Sequence, residues 1–244
     1  MEPNARIVDP LVVFKASRRF DLVFKVALAK AWAGGDAKEI REAEEAYLEM
    51  VRSRNGFFED EPRRETPAEF LESFRRTVDS IRERGYDFSR AAIPVDENDE
   101  LLNGAHRLAA CVAFSRPCPV VLSDCWKAGG SEWRTFRKGR IHPAVEAWGI
   151  RRYLEIAGED GALAAEFGGI EAHPAAPFPD WTRRTGGLGL VRPFISALWC
   201  RLTLPFRNGS KREKVERRLF REKRIMSSYA ALAAYWKERM RNGG

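Results

Sequence analysis

The chain is poor in the residues that build metal and redox centres. It has four cysteines and three histidines. Cys111, Cys118, Cys125 and Cys200 form no Cys-x-x-Cys pair, so the spacing suggests no zinc site and the metal set is empty. The expectation is buried thiols in a reducing, cytoplasmic setting. Two of the histidines, His142 and His173, stand directly before proline and read as loop residues. No apolar run approaches the roughly 20 residues of a spanning helix. Met1-Glu2-Pro3-Asn4 lacks the basic and apolar blocks of a secretory signal, so none is expected. Internal repeats and low-complexity tracts are missing too.

What is present is charge. Charged residues make up 32% of the 244, and hydrophobic ones 44%. That composition suits one large domain, or one domain with appendages, under a heavily charged surface. The net charge of +7 is local. Arg201 to Arg224 carries ten Lys/Arg and three Glu, a surplus equal to the whole excess, and the rest of the chain is neutral. A polyanionic partner is therefore expected at the C-terminal segment.

Local patterning predicts helices over Phe14 to Lys30 and Asp36 to Arg52, the second ended by Asn55-Gly56. Thr66-Pro67-Ala68-Glu69 has the residues of a capping box with proline at the first helical position. Phe70, Phe74, Val78 and Ile81 form its apolar stripe, and Gly85 its stop. Ala92 to Val95 and Glu100 to Leu102 read as strands around the turn Asp96-Glu97-Asn98-Asp99. A helix opens near His106 and a β-rich run covers Pro119 to Leu122. Ala144 to Ile156 reads as helix, Gly158 to Gly169 as loop or frayed helix, and a long helix is expected from Lys211.

The turn Asn103-Gly104-Ala105-His106-Arg107 carries the chemistry. A strand ends, two small residues follow, and a helix begins with His-Arg. A helix N-terminus offers unpaired backbone N–H groups and the positive end of its dipole. Gly104 permits close approach of a phosphate, Arg107 can fork onto its oxygens, and His106 can donate a hydrogen bond. The plainer reading is an ordinary strand-to-helix turn with a surface arginine.

Ile93-Pro94-Val95-Asp96 followed by Leu101-Leu102-Asn103-Gly104-Ala105-His106-Arg107-Leu108-Ala109-Ala110 resembles the ParB/sulfiredoxin superfamily. Ser80-Ile81-Arg82-Glu83-Arg84-Gly85 is similar to that family's Ser-Ile-x-x-x-Gly element. The resemblance covers roughly a quarter of the chain and implies a nucleotide-binding module from about Glu59 to Leu122. Two departures narrow it. Ala105 stands where sulfiredoxins carry cysteine, which argues against sulfinic-acid reduction. The Gly-Glu-Arg-Arg and helix-turn-helix of chromosome-partitioning proteins are missing. What remains resembles the branch of small-molecule kinases. A weaker resemblance, through Arg19-Phe20-Asp21 with Phe24-Lys25, Asn55-Gly56-Phe57-Phe58-Glu59 and Trp133-Arg134-Thr135-Phe136-Arg137, is to a ParB-like domain of bacterial surface-polysaccharide clusters.

A kinase needs a base, cationic groups or a metal on the phosphate, and a positioned nucleotide. Glu59 is the candidate base, against a solvated acid in the run Glu59-Asp60-Glu61. Asp96 is next, and with Asn103 can orient water ligands of Mg²⁺, against plain turn polarity. Arg19 and Lys25 can bind phosphates or an anionic acceptor, against a solvated helix face. The expected architecture is α/β of the mixed α+β kind. N-terminal helices over 1–56 pack on a ParB/sulfiredoxin-like nucleotide-binding core over 57–185, followed by a basic helical segment over 186–244. The expected function is phosphotransfer from a nucleotide, ATP first among the candidates, with Mg²⁺, to a small hydroxyl acceptor such as a sugar in surface-polysaccharide biosynthesis. The alternatives are a nucleotide-gated DNA-binding ParB-like protein and a non-catalytic nucleotide-binding module. The apolar stretch from Gly187 to Phe206 beside the basic run makes residues 187–224 a candidate for peripheral binding at the anionic inner membrane face, against a solvated charge-laced helix. Phe206 and Phe220 are the only aromatics between 201 and 224, too few for a stacking platform on single-stranded nucleic acid.

Overall fold

A computed structural model of the chain describes residues 4–60, 63–89, 91–124, 132–138, 141–167 and 227–242. The expected basic run, the apolar stretch before it, Cys125, Cys200 and His173 lie outside the described residues. The chain divides into two compact units. The first comprises Met1–Arg54 and Glu69–Phe178, and the second Asn55–Ala68 and Pro179–Gly244.

In the first unit the order is β1 (Arg6–Val8), α1 (Pro10–Ala16), α2 (Asp21–Gly34) and α3, which starts at Ala37 and runs to Asn55. The second unit then contributes the short strands β2 (Glu59–Asp60) and β3 (Arg63–Arg64). The chain continues with α4 (Pro67–Arg84), β4 (Ile93–Val95), α5 (Ala105–Ala113), β5 (Cys118–Leu122), α6 (Trp133–Lys138), α7 (Pro143–Ala157) and α8 (Ala164–Phe167). A further helix, α9, spans 227–241. The fold is α+β. Its small sheet has the order β1-β5-β4, with β1 antiparallel and β4 parallel to β5. Among the described residues no helix is long and apolar enough to cross a membrane.

Local chemistry explains most of these elements. Helix α4 begins at Pro67 as the capping-box residues predict, and Phe70, Phe74, Val78 and Ile81 are all buried. Gly85 ends it at φ +74°, its N–H donating to the Ile81 carbonyl at 2.9 Å, the left-handed stop that glycine makes without strain. Pro94 sits in β4 at an edge of the sheet, where a missing N–H costs least. Helix α5 lies between the parallel strands β4 and β5 in sequence, as a parallel pair requires, and packs on α1 and α2.

Two expected elements differ. The helix predicted over Phe14 to Lys30 is broken between Ala16 and Asp21. There Ser17 is buried, its hydroxyl donating to the Val13 carbonyl at 2.6 Å and accepting from the Leu101 N–H at 2.9 Å. A long-range hydrogen bond therefore holds the break, and no local breaker announces it. The strand expected over Glu100 to Leu102 shrinks to one bridge between Val95 and Leu101, flanked by bonds from the Asp96 N–H to the Glu100 carbonyl and from the Leu102 N–H to the Pro94 carbonyl, both at 3.0 Å. Cys111 and Cys118 are free buried thiols, as expected. Their mutual contact and burial raise the Cys111 pKa, so the thiol stays neutral and poorly nucleophilic.

Helix α2 is buried on nearly all sides, through Leu22, Val23, Phe24, Val26, Leu28 and Ala29. Phe20 packs edge-on against Phe24 and Phe136 and meets Phe167 at 5.7 Å. Phe24 stacks on Trp148 of α7. Each such ring contributes roughly 1.5–3 kcal/mol by burial. Gly149 is what lets α7 approach. A β-carbon there would stand 2.6 Å from Phe24 Cζ and 2.9 Å from Phe20 Cζ. Gly149→Ala is expected to cost about 1–3 kcal/mol by overpacking, which exceeds the roughly 1 kcal/mol gain in helix propensity. Gly34→Ala, with no atom within 4 Å, should be neutral or stabilising. Urea midpoints of the two variants check this, and a Gly149→Ala midpoint at or above wild type would refute the close packing.

Candidate anion-binding site

The turn before α5 is built from its own side chains. Asp96 Oδ1 accepts from the N–H groups of Asn98 at 2.9 Å and Glu100 at 2.8 Å, so this carboxylate holds the preceding turn closed. Asn103 is exposed, and its Oδ1 accepts from the Gly104 N–H at 2.7 Å. Gly104 has φ +85° and is followed by α5, whose first turn has no side-chain cap. The first intrahelical bond is Leu108 N–H to the Gly104 carbonyl at 3.0 Å. The N–H groups ahead of it are those a helix start leaves without an intrahelical acceptor.

Arg107 folds back over that glycine. Its Nη2 and Nε lie 3.0 and 3.4 Å from where a Gly104 β-carbon would be. Glycine is thus favoured by its φ, and a β-carbon would also press the guanidinium away by a few tenths of an ångström. On the other side Nη1 donates to Tyr86 Oη at 2.7 Å and to the Ala91 carbonyl. Tyr86 Oη itself donates to Ala91 at 2.8 Å. Burial raises the Tyr86 pKa, so the phenol stays protonated as that donor. Ala105 is buried, and the His106 ring packs against Phe74, 4.9 Å between centroids. Thr77, Ser80 and Ile81 of α4 meet Tyr86, Asp87 and Arg107 around a cavity of 20 Å³, about the size of one water. The Ser80-to-Gly85 element and the Asn103-to-Arg107 turn are therefore neighbours. Two larger grooves, of 320 and 520 Å³, share Lys30, Glu155 and Ile156 and include no residue of the turn.

A second group of charges touches the same turn from below. Asp21, at the start of α2, is fully buried. Arg19 grips it with Nε on Oδ1 and Nη2 on Oδ2, both at 3.2 Å. Lys25, one helical turn on, donates to Oδ2. Arg54 Nη1, from the far end of α3, stands 3.8 Å from the same oxygen. Arg19 Nη1 also donates to the Leu102 carbonyl at 3.3 Å, which places the cluster directly behind Asn103. Burial alone would raise the Asp21 pKa, but Arg19, Lys25 and Arg54 together hold it well below the usual range. Burial pushes Lys25 down to about 8, with Arg54 and Arg19 adding to the shift and Asp21 opposing it.

The solvated-face reading of Arg19 and Lys25 does not hold, since Lys25 is 3% exposed. An i,i+4 Asp-Lys pair on a helix apolar all round was the available signal, because buried charges need partners. Arg54 had no such signal. Glu100, whose carboxyl accepts from the Arg18 N–H at 3.3 Å, has its pKa raised by burial, then by Asp96 and Glu132. Glu59 belongs to the second unit, where Arg64 pairs with it across the β2–β3 ladder. Among the described residues no group of three His, Cys, Asp or Glu can hold a metal. Comparison with protein-family models, with curated proteins and with solved structures gave no match.

Lys25 makes stability depend on pH in a definite sense. Its folded pKa, about 8, lies below the ordinary 10.5. Below pH 8 both states hold the proton and the full cost of the buried ammonium is felt. Between about 8 and 10.5 the unfolded chain binds more protons, so stability from this group rises with pH. Wild type should therefore gain on Lys25→Met across that window, by on the order of 3 kcal/mol. Denaturant titrations at several pH values check this, and a constant difference between the two proteins would contradict it.

Proposed function

We propose that the chain binds a nucleotide through its phosphates at Asn103 to Arg107 and transfers a phosphoryl group to the hydroxyl of a small acceptor, with sugars among the candidates. The observation that carries this reading is the Arg107 guanidinium lying over a left-handed Gly104 at an uncapped helix start. Backbone donors, a dipole end and an anchored fork then converge where a phosphate can sit. The resemblance of the ordered motifs to the ParB/sulfiredoxin superfamily, with the small-molecule kinase branch as what its departures leave, supports the same reading, with ATP as the first nucleotide to test.

Mg²⁺ fits this site only as a companion of the nucleotide. Asp96 spends one oxygen on two backbone N–H groups, and the described residues offer no multi-carboxylate cage. Magnesium commonly keeps several waters and takes one or two carboxylates beside substrate phosphates, and Asp96 and Asn103 can orient those waters. When bound, the ion would neutralise charge on the transferring group. Glu59 remains the proposed base, and it must exchange Arg64 for the acceptor hydroxyl to act. That pairing, with the turn role of Asp96, favours one second reading: a nucleotide-binding module without catalysis.

Calorimetry with ATP, ADP and CTP, followed by phosphate transfer to pooled sugars and amino acids, separates the two. Arg107→Ala should weaken nucleotide binding by about 1.5–3 kcal/mol, and unchanged affinity in a folded variant would remove the site. Glu59→Gln should lower turnover about 10²-fold or more at nearly constant nucleotide affinity. Binding without any turnover in wild type would select the silent module.

A further inference from the structure

The charge below the turn is unbalanced in a particular way. Arg19 and Asp21 form a two-pronged pair that accounts for the one carboxylate. Lys25 and Arg54 lean on an oxygen, Oδ2, that Arg19 already uses. Among the described residues the charged groups that face Lys25 are Asp21 on its own helix, Arg19 from the preceding segment and Arg54 from α3, one acid against two guanidinium groups. Glu49, the other buried acid at that end of α3, is taken by Arg52 at 2.6 and 2.8 Å and by the His142 N–H at 2.8 Å. Side-chain exposure grades outward, from 0% at Asp21 through 4% at Lys25 and 10% at Arg19 to 34% at Arg54. The surplus thus reaches solvent at Arg54, with the Leu102 carbonyl, one residue before the phosphate turn, tied to the same group. A buried surplus of cation is costly in a low-dielectric interior, and an anion is its natural complement.

We infer that the solvent-exposed Arg54 end of the Arg19–Asp21–Lys25–Arg54 cluster binds the oxyanion group of the acceptor, so that the acceptor is an acidic hydroxyl compound, a hydroxy-carboxylate or a phosphate monoester, and not a neutral sugar. The word acceptor rests on the phosphotransfer reading, whereas the anion site stands without it. An oxyanion arriving beside Lys25 favours its charged form, so binding near pH 8 takes up a proton.

Three probes that share a carbon skeleton test this on the full chain without nucleotide: glycerol 3-phosphate, glycerate and glycerol, titrated by calorimetry. One or both acids should bind and glycerol should not, which also tells phosphate from carboxylate. Arg54→Gln should weaken the acid at least 10-fold and Arg54→Lys less. Loss of the exposed charge in Arg76→Ala should change nothing. Melting curves certify that each variant is folded. At pH 8, titration in buffers of different ionisation enthalpy should show net proton uptake that disappears in Lys25→Met. Glycerol binding as well as the acids, or Arg54→Gln binding the acid as wild type does, would overturn the inference. Acid binding in a protein that ignores ATP, ADP and CTP would leave the anion site standing and remove the phosphotransfer reading.

Discussion

One carboxylate organises the centre of the first unit. Asp21 is the common partner of Arg19, Lys25 and Arg54, which come from the break before α2, from α2 itself and from the end of α3. Through Arg19 it also reaches the Leu102 carbonyl. Taking the carboxylate away would leave the buried Lys25 ammonium beside two guanidinium groups with its carboxylate gone. Leaving one buried charge without its partner typically costs 3–5 kcal/mol, a large share of the 5–15 kcal/mol that holds a protein folded. An apolar replacement for the whole set would be cheaper in stability. Its position behind Asn103 is the physical reason to look for a use beyond packing.

The second constraint is the reach of Arg107. A free arginine loses side-chain entropy when it closes on a ligand, by roughly 0.5–1.5 kcal/mol for an immobilised side chain. Here Tyr86 and the Ala91 carbonyl hold one edge of the guanidinium already, and the other edge lies over Gly104. The same contacts bring the loop after α4 against the start of α5, so the two motif segments meet without direct pairing between them. Substitution of Tyr86 or Gly104 therefore acts on the same guanidinium from opposite sides.

Some elements were legible because their causes are local. The capping-box residues and apolar stripe of α4 place it to within a residue of Pro67–Arg84, and Gly104 marks the start of α5 at Ala105. Other features have remote causes. Strand β1 is three residues long and exists through its pairing with β5. Helix α6 presents only Trp133 and Phe136 to the core. The break at Ser17 depends on Leu101, 84 positions away. No window of neighbouring residues contains that information.

Composition and pattern by themselves determined the mixed α+β class, the glycine turn with its following arginine, and the buried state of Cys111 and Cys118. Each follows from chemistry within a few residues: propensity, capping, φ at glycine, or the preference of thiols for apolar surroundings. Only the tertiary structure decided that Arg19 and Lys25 are buried and that Arg54 joins them. Asp96 closing its own turn on Asn98 and Glu100 is local and was one of its two readings, whereas Glu59 met Arg64 through the β2–β3 ladder. The reason is the reach of the forces involved. Helices and turns are set by contacts three or four residues apart, whereas the state of a charged group is set by whatever carboxylates and cations the fold brings within a few ångströms of it.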